Sequence, residues 1–162
     1  MKMSYPEQVY WGESGEVSAD FRPSNTPPEL GEAGEDAIHY LATTTTTRGE
    51  FGLYRVEMRA RAGGPKTHFH KTISESFYIL EGTVRLFNGD KWIDAQKGDF
   101  LHVPQGGLHA FRNDSDAPAE MLLLFTPGAP REEYFEKVSQ LAHATDEERA
   151  RFFDKHDSYF VE

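Results

Sequence analysis

The sequence predicts an all-β domain, and three observations carry that prediction. Short apolar–polar alternations follow one another between residues 38 and 127. Gly, Asn and Pro separate them at close intervals, as in Gly82, Asn88-Gly89, Gly98 and Gly106-Gly107. No segment of helical period interrupts the series, which implies an antiparallel sandwich or a closed barrel.

The elements follow in order. Residues 1–37 form an N-terminal arm in which Pro23, Pro27, Pro28, Gly31 and Gly34 forbid long regular structure. Trp11 and Phe21 within it call for burial, either against the domain or against a second copy, and a homodimer is expected. Ile38–Thr47 reads as a strand, its threonine run 43–47 being five β-branched residues. Phe51–Arg61 alternates, and Ser76–Glu81, Thr83–Phe87, Lys91–Asp94, Phe100–Val103, His109–Arg112 and Ala119–Thr126 complete the strand region. Asn88-Gly89 is a hairpin signal.

Past Pro127 the period changes. Residues 128–162 form a C-terminal helical segment, with Tyr134, Phe135, Val138, Leu141 and Ala142 at helical spacing over 131–142. A second helix opens on Thr145 and Glu148, a capping box, and Glu147 stands one turn before Arg151. Phe152 and Phe153 give it an apolar face that covers the barrel or its rim.

Composition narrows the function. The 162 residues carry 17 basic and 27 acidic side chains, a net charge of −10 that repels nucleic acid and anionic lipid. No apolar run has the length of a bilayer-spanning helix. Met1–Tyr10 has neither the basic start nor the apolar core of a secretory leader, so a cytoplasmic location is expected. With no cysteine, disulfides and thiolate metal sites are excluded.

The chemistry concentrates in residues 63–113. His68 and His70, two apart, share one face of a strand. Glu75 starts an apolar strand, and if it faces inward so do Phe77 and Ile79. An unpaired carboxylate in an apolar interior is too costly to persist, and a metal cation would pair it. His109 arrives from another strand behind Pro104, Gly106 and Gly107, with Phe111 on its face. Phe77, His102 and Phe111 are the expected substrate-lining residues; His39, His143 and His156 read as surface.

His68-x-His70, Glu75 after four intervening residues and Gly82 after six more resemble the first motif of the cupin family. Gly98, Pro104-x-Gly106, His109 and Asn113 are similar to its second, and the short gap between the two resembles that of single-domain bacterial cupins. One departure is Ala62 where the first motif usually opens on glycine, with Gly63 and Gly64 just after. Pro127-Gly128 ahead of Tyr134-Phe135-Glu136 resembles the tail of quercetin dioxygenase-like cupins.

The resemblance implies a jelly-roll barrel over 38–127 with His68, His70, Glu75 and His109 holding one divalent metal: Fe, Mn, Ni or Co, with Zn also compatible. It implies a small-molecule dioxygenase in which Glu75 is both ligand and general base. A non-oxidative isomerase, cyclase or lyase, or a non-catalytic small-molecule-binding module, are the alternatives.

Overall fold

Three neighbouring strands set the architecture, because each buries every second side chain on the same side. β3 (Gly52–Met58) buries Tyr54, Val56 and Met58; β10 (Ala119–Thr126) buries Ala119, Met121, Leu123 and Phe125; β5 (Ser74–Glu81) turns Glu75, Phe77 and Ile79 inward. Leu123 pairs with Tyr54 on one side and Phe77 on the other, so the inward faces coincide. The computed structural model, which describes residues 3–161, extends this core to an antiparallel six-stranded sheet. Its order is β1 (Leu30–Gly31), β2 (Ala37–Ala42), β3, β10, β5 and β8 (Phe100–Val103). A second sheet places β6 (Thr83–Phe87) between β7 (Trp92–Gln96) and β9 (Ala110–Arg112), and adds Val84 and Leu86 to the same core. The two sheets are the expected β-barrel. Each large apolar side chain buried in it contributes about 1.5–3 kcal/mol.

The Asn88-Gly89 turn joins β6 to β7, with the Asn88 N–H donating to the Lys91 carbonyl at 3.1 Å. After β10 come α1 (Arg131–Lys137), a 3₁₀ segment at Val138–His143, α2 (Asp146–Lys155) and a short β11 (Tyr159–Phe160). The single helix expected over 131–142 is therefore split. Val138-Ser139, a β-branched residue and a serine, are weak helix formers at the break. α2 opens on the capping box of Thr145 and Glu148. β11 pairs with β4 (His68–Phe69), which the sequence did not indicate. Among the described residues no helix is long and apolar enough to cross a membrane.

Two expectations fail. β2 stops at Ala42, and Thr43–Thr47 is a turn rather than strand. There the threonine hydroxyls bond backbone instead of lying along a ladder: Thr47 Oγ1 donates to the Thr43 carbonyl, and the Thr43 N–H donates to Thr46 Oγ1. Threonine offers the chain that alternative to a sheet. His39 and His156, read as surface, are 3% and 6% exposed; His39 sits 2.8 Å from Glu57. In the arm, Trp11 is 78% and Phe21 89% exposed, so neither is buried against its own domain.

Just after β9, Asn113 is fully buried with all its side-chain hydrogen-bonding capacity used. Its Nδ2 donates to the carbonyls of Arg59 and Ala117, each at 2.9 Å, and its Oδ1 accepts from the Ser115 N–H and hydroxyl. Asn113→Ala removes all four bonds from a fully buried position. Chemical denaturation is expected to show a loss of about 3 kcal/mol; a loss below about 1 kcal/mol would contradict this account.

Candidate metal centre

Backbone pairing, not side-chain attraction, brings the histidines together. His68 and His109 form an isolated antiparallel bridge in which each N–H donates to the other's carbonyl at 3.0 Å. Residues opposite each other in such a pair carry their side chains on one face, and the two rings lie 4.3 Å apart. His70 follows two residues later on the same face. Its carbonyl accepts the Gly106 N–H at 2.7 Å, tying the loop that leads to His109.

The loop before His68 depends on two glycines. Gly63 has φ +72° and bridges Asn113, while a Cβ on Gly64 would collide with the Phe111 carbonyl. Ala62 in place of the usual glycine is accommodated because Gly63 takes the left-handed conformation.

All four donor residues are buried, and one ligand atom from each lies within 4.8 Å of the others. Glu75 Oε2 is 3.1 Å from His70 Nε2 and 2.7 Å from His109 Nε2. Two ligands about 2.1 Å from one ion at a right angle stand about 3 Å apart, so these separations suit adjacent coordination positions.

The tautomers decide the fit. His68 Nδ1 is 2.8 Å from the Lys66 carbonyl, His70 Nδ1 2.6 Å from that of Asp157, and His109 Nδ1 2.9 Å from that of Gly107. A carbonyl only accepts, so all three Nδ1 atoms carry hydrogen and each neutral ring presents its Nε2 lone pair inward. Two of those lone pairs then face a carboxylate oxygen. Only a proton or a cation between them removes that repulsion, and the donor set, three imidazoles and a carboxylate, suits a divalent transition ion.

The electrostatics agree. Burial pushes Glu75 up, but its hydrogen bonds to His109 and His70 outweigh burial and hold the carboxyl well below the usual range. Burial pulls His109 down, yet Glu75 more than compensates and leaves it raised. His68 is lowered to about 4, by burial first and then by the neighbouring His109 charge.

Glu75 and His68 also form part of the wall of a cavity of about 290 Å³, otherwise mostly apolar, that includes Phe111, Phe125 and Phe135. Phe111 lines this cavity, whereas Phe77 is fully buried, its ring 6.0 Å from that of His109, and belongs to the core. His102 is on the outer face of the sheet, paired across the strands with Ser76 and sharing a 2.8 Å hydrogen bond with its hydroxyl. Strand parity puts it there, since its neighbour Val103 is the residue opposite the inward Glu75.

Sequence reasoning missed three contributors. The Asp157 carbonyl holds His70, the Phe160 ring packs 5.0 Å from His68, and Arg131, 4% exposed, enters the cavity wall. Only Arg131 left a signal: a cation in the first turn of α1 opposes the helix dipole, which favours acidic residues there.

His68→Ala or His109→Ala is expected to lower bound metal at least about tenfold and to lower the melting temperature with it, because coordination ties separate strands. Elemental analysis and thermal melts check this; full metal content with unchanged melting would refute histidine ligation. Protons and metal compete for the same Nε2 lone pairs, so affinity falls as pH falls. His109, raised, takes its proton at a higher pH than His68, which is lowered to about 4. Metal content measured against pH is expected to drop between about pH 7 and pH 4, and retention well below that window would count against three imidazole ligands.

A family model described as a cupin domain matches residues 54–125, the span from β3 to β10. The chain is 32% identical to a quercetin 2,3-dioxygenase of Bacillus subtilis (strain 168), over 65% of its own length and 33% of that protein's. It thus spans about a third of that relative. Among solved structures, a predicted oxalate decarboxylase of Thermotoga maritima superposes with a TM-score of 0.58 at 19% identity, covering 67% of this chain and 99% of that one. The polyketide cyclase RemF of Streptomyces resistomycificus gives 0.51 at 23% identity, covering 60% and 68%. With the donors of both motifs gathered in one buried group and the family match running from β3 to β10, residues 54–125 form a cupin domain.

Proposed function

We propose that this protein is a metal-dependent enzyme acting on a small organic molecule with an aromatic or enolisable body, and that its reaction is a dioxygenation resembling that of quercetin 2,3-dioxygenase. One observation carries the reading. The four-donor centre opens directly onto an apolar cavity, through His68 and Glu75, rather than being sealed on all sides by protein. A purely structural ion is enclosed, whereas a catalytic one needs a position for substrate. The Bacillus relative supports the choice of oxygen chemistry over other cupin reactions.

Fe, Mn, Ni or Co suits the donor set, with Zn also compatible. Such an ion would supply Lewis acidity and an open position for a substrate oxygen. The chain's own residues do the rest. Both histidine Nε2 atoms approach Glu75 at Oε2, which leaves Oε1 to take a proton from a substrate hydroxyl. Phe111, Phe125 and Phe135 hold a planar body and exclude water, which strengthens every polar contact within.

A flavonol is the first substrate to try. Metal-loaded protein is expected to consume oxygen in step with loss of flavonol absorbance, and Glu75→Gln to lower kcat by about 10²–10⁴-fold. Equal turnover under argon would reject dioxygenation and favour the isomerase, cyclase or lyase reading.

A further inference from the structure

The cavity holds a cation that the chemistry above does not use. Arg131 begins α1 and is 4% exposed, yet no carboxylate among the described residues lies within salt-bridge distance of it. Its Nη1 donates to the His156 carbonyl at 2.5 Å, while its buried Nε has no partner. The two carboxylates that influence it electrostatically are engaged elsewhere. Glu75 faces His70 and His109, and Asp157 accepts from the N–H groups of Lys71 and Thr72 and from the Thr72 hydroxyl.

Aromatic rings compensate the charge in part. The guanidinium carbon lies 4.3 Å from the Tyr134 ring centroid, 5.3 Å from that of Phe125 and 6.0 Å from that of Phe135. Such contacts are worth about 0.5–2 kcal/mol each, against several kcal/mol for removing a cation from water. Burial lowers the Arg131 pKa from its ordinary value, as it does for a cation short of partners. A guanidinium offers five N–H donors in a fork that matches a carboxylate, and protein engages one of the five here.

We propose that Arg131 is the anion-recognising residue of this cavity, binding the carboxylate of a small aromatic or unsaturated acid whose body lies against Phe111 and Phe125. The inference rests on reading the cavity as the substrate site and narrows the substrate class within it. Charge supports it: a divalent ion, the Glu75 carboxylate and the Arg131 guanidinium together leave the pocket positive, and its other walls are largely apolar. An anionic ligand neutralises that excess, and a neutral one of the same shape does not.

Benzoate and benzamide are probes of one shape and different charge. Calorimetric titration of the metal-loaded full-length chain is expected to show benzoate binding at least about tenfold more tightly than benzamide. Arg131→Gln is expected to abolish that preference while metal content and benzamide binding stay as they are. Arg131→Lys, which keeps the charge and loses the fork, is expected to reduce it several-fold and serves if the glutamine variant does not fold. Equal affinity for the two probes in the unsubstituted protein overturns the proposal. So does a preference that Arg131→Gln or Arg131→Lys leaves undiminished, which would place the carboxylate on the metal alone. Binding is read without turnover, so failure of oxygen uptake and failure of this subsite are separate results.

Discussion

Three hydrogen bonds from imidazole Nδ1 to backbone carbonyls govern this structure. They fix the tautomer of His68, His70 and His109, and with it the direction in which every Nε2 lone pair points. Two of the acceptors, Lys66 and Gly107, lie two residues before the ring they hold, so loop conformation alone orients those histidines. The third acceptor is Asp157, 87 positions along the chain. Ring orientation is the requirement a metal site imposes most strictly, and backbone supplies it here with no extra side chain.

That third acceptor gives the C-terminal segment its meaning. The segment returns after α2 through Asp157, at φ +52°, and β11 then pairs with β4 beside the centre. Asp157 also caps the Lys71–Thr72 turn with its carboxylate, and the His156 carbonyl receives Arg131. Helices that look from sequence like a cover over the barrel therefore carry part of the site in the turn that follows them. Loosening α2 would release His70 and Arg131 together.

Much of this was legible in the sequence, for a physical reason. Strands with one face on a core must alternate, so β3, β5 and β10 show themselves, and the two cupin motifs place His68, His70, Glu75 and His109 on inward positions that the structure brings together. Where legibility failed, the missing quantity was phase or competition. His102 has the right residue type on the right strand but the wrong parity, and Phe77 has the right parity but lies too deep. The threonine run satisfies strand propensity, yet its hydroxyls capture the backbone first. Trp11 and Phe21 call for burial by residue type, yet both are exposed in the folded chain. Asp157 and Phe160 could not be read at all, because backbone carbonyls and a two-residue strand leave no local pattern.

Glu75 and Arg131 are opposite charges in one apolar cavity, and the fold keeps them from forming an ion pair. Had they paired at salt-bridge distance, each would have answered the other's desolvation and neither would have a reason to engage a ligand. Instead the His68–His109 bridge draws Glu75 toward the histidines, and the His156 carbonyl draws Arg131 toward the C-terminal turn. The separation leaves two unlike poles joined by aromatic wall: one able to accept protons and hold a cation, the other able only to donate hydrogen bonds. A molecule that spans them must be asymmetric, with its reactive oxygen at one end and its negative charge at the other, and so it enters in one orientation.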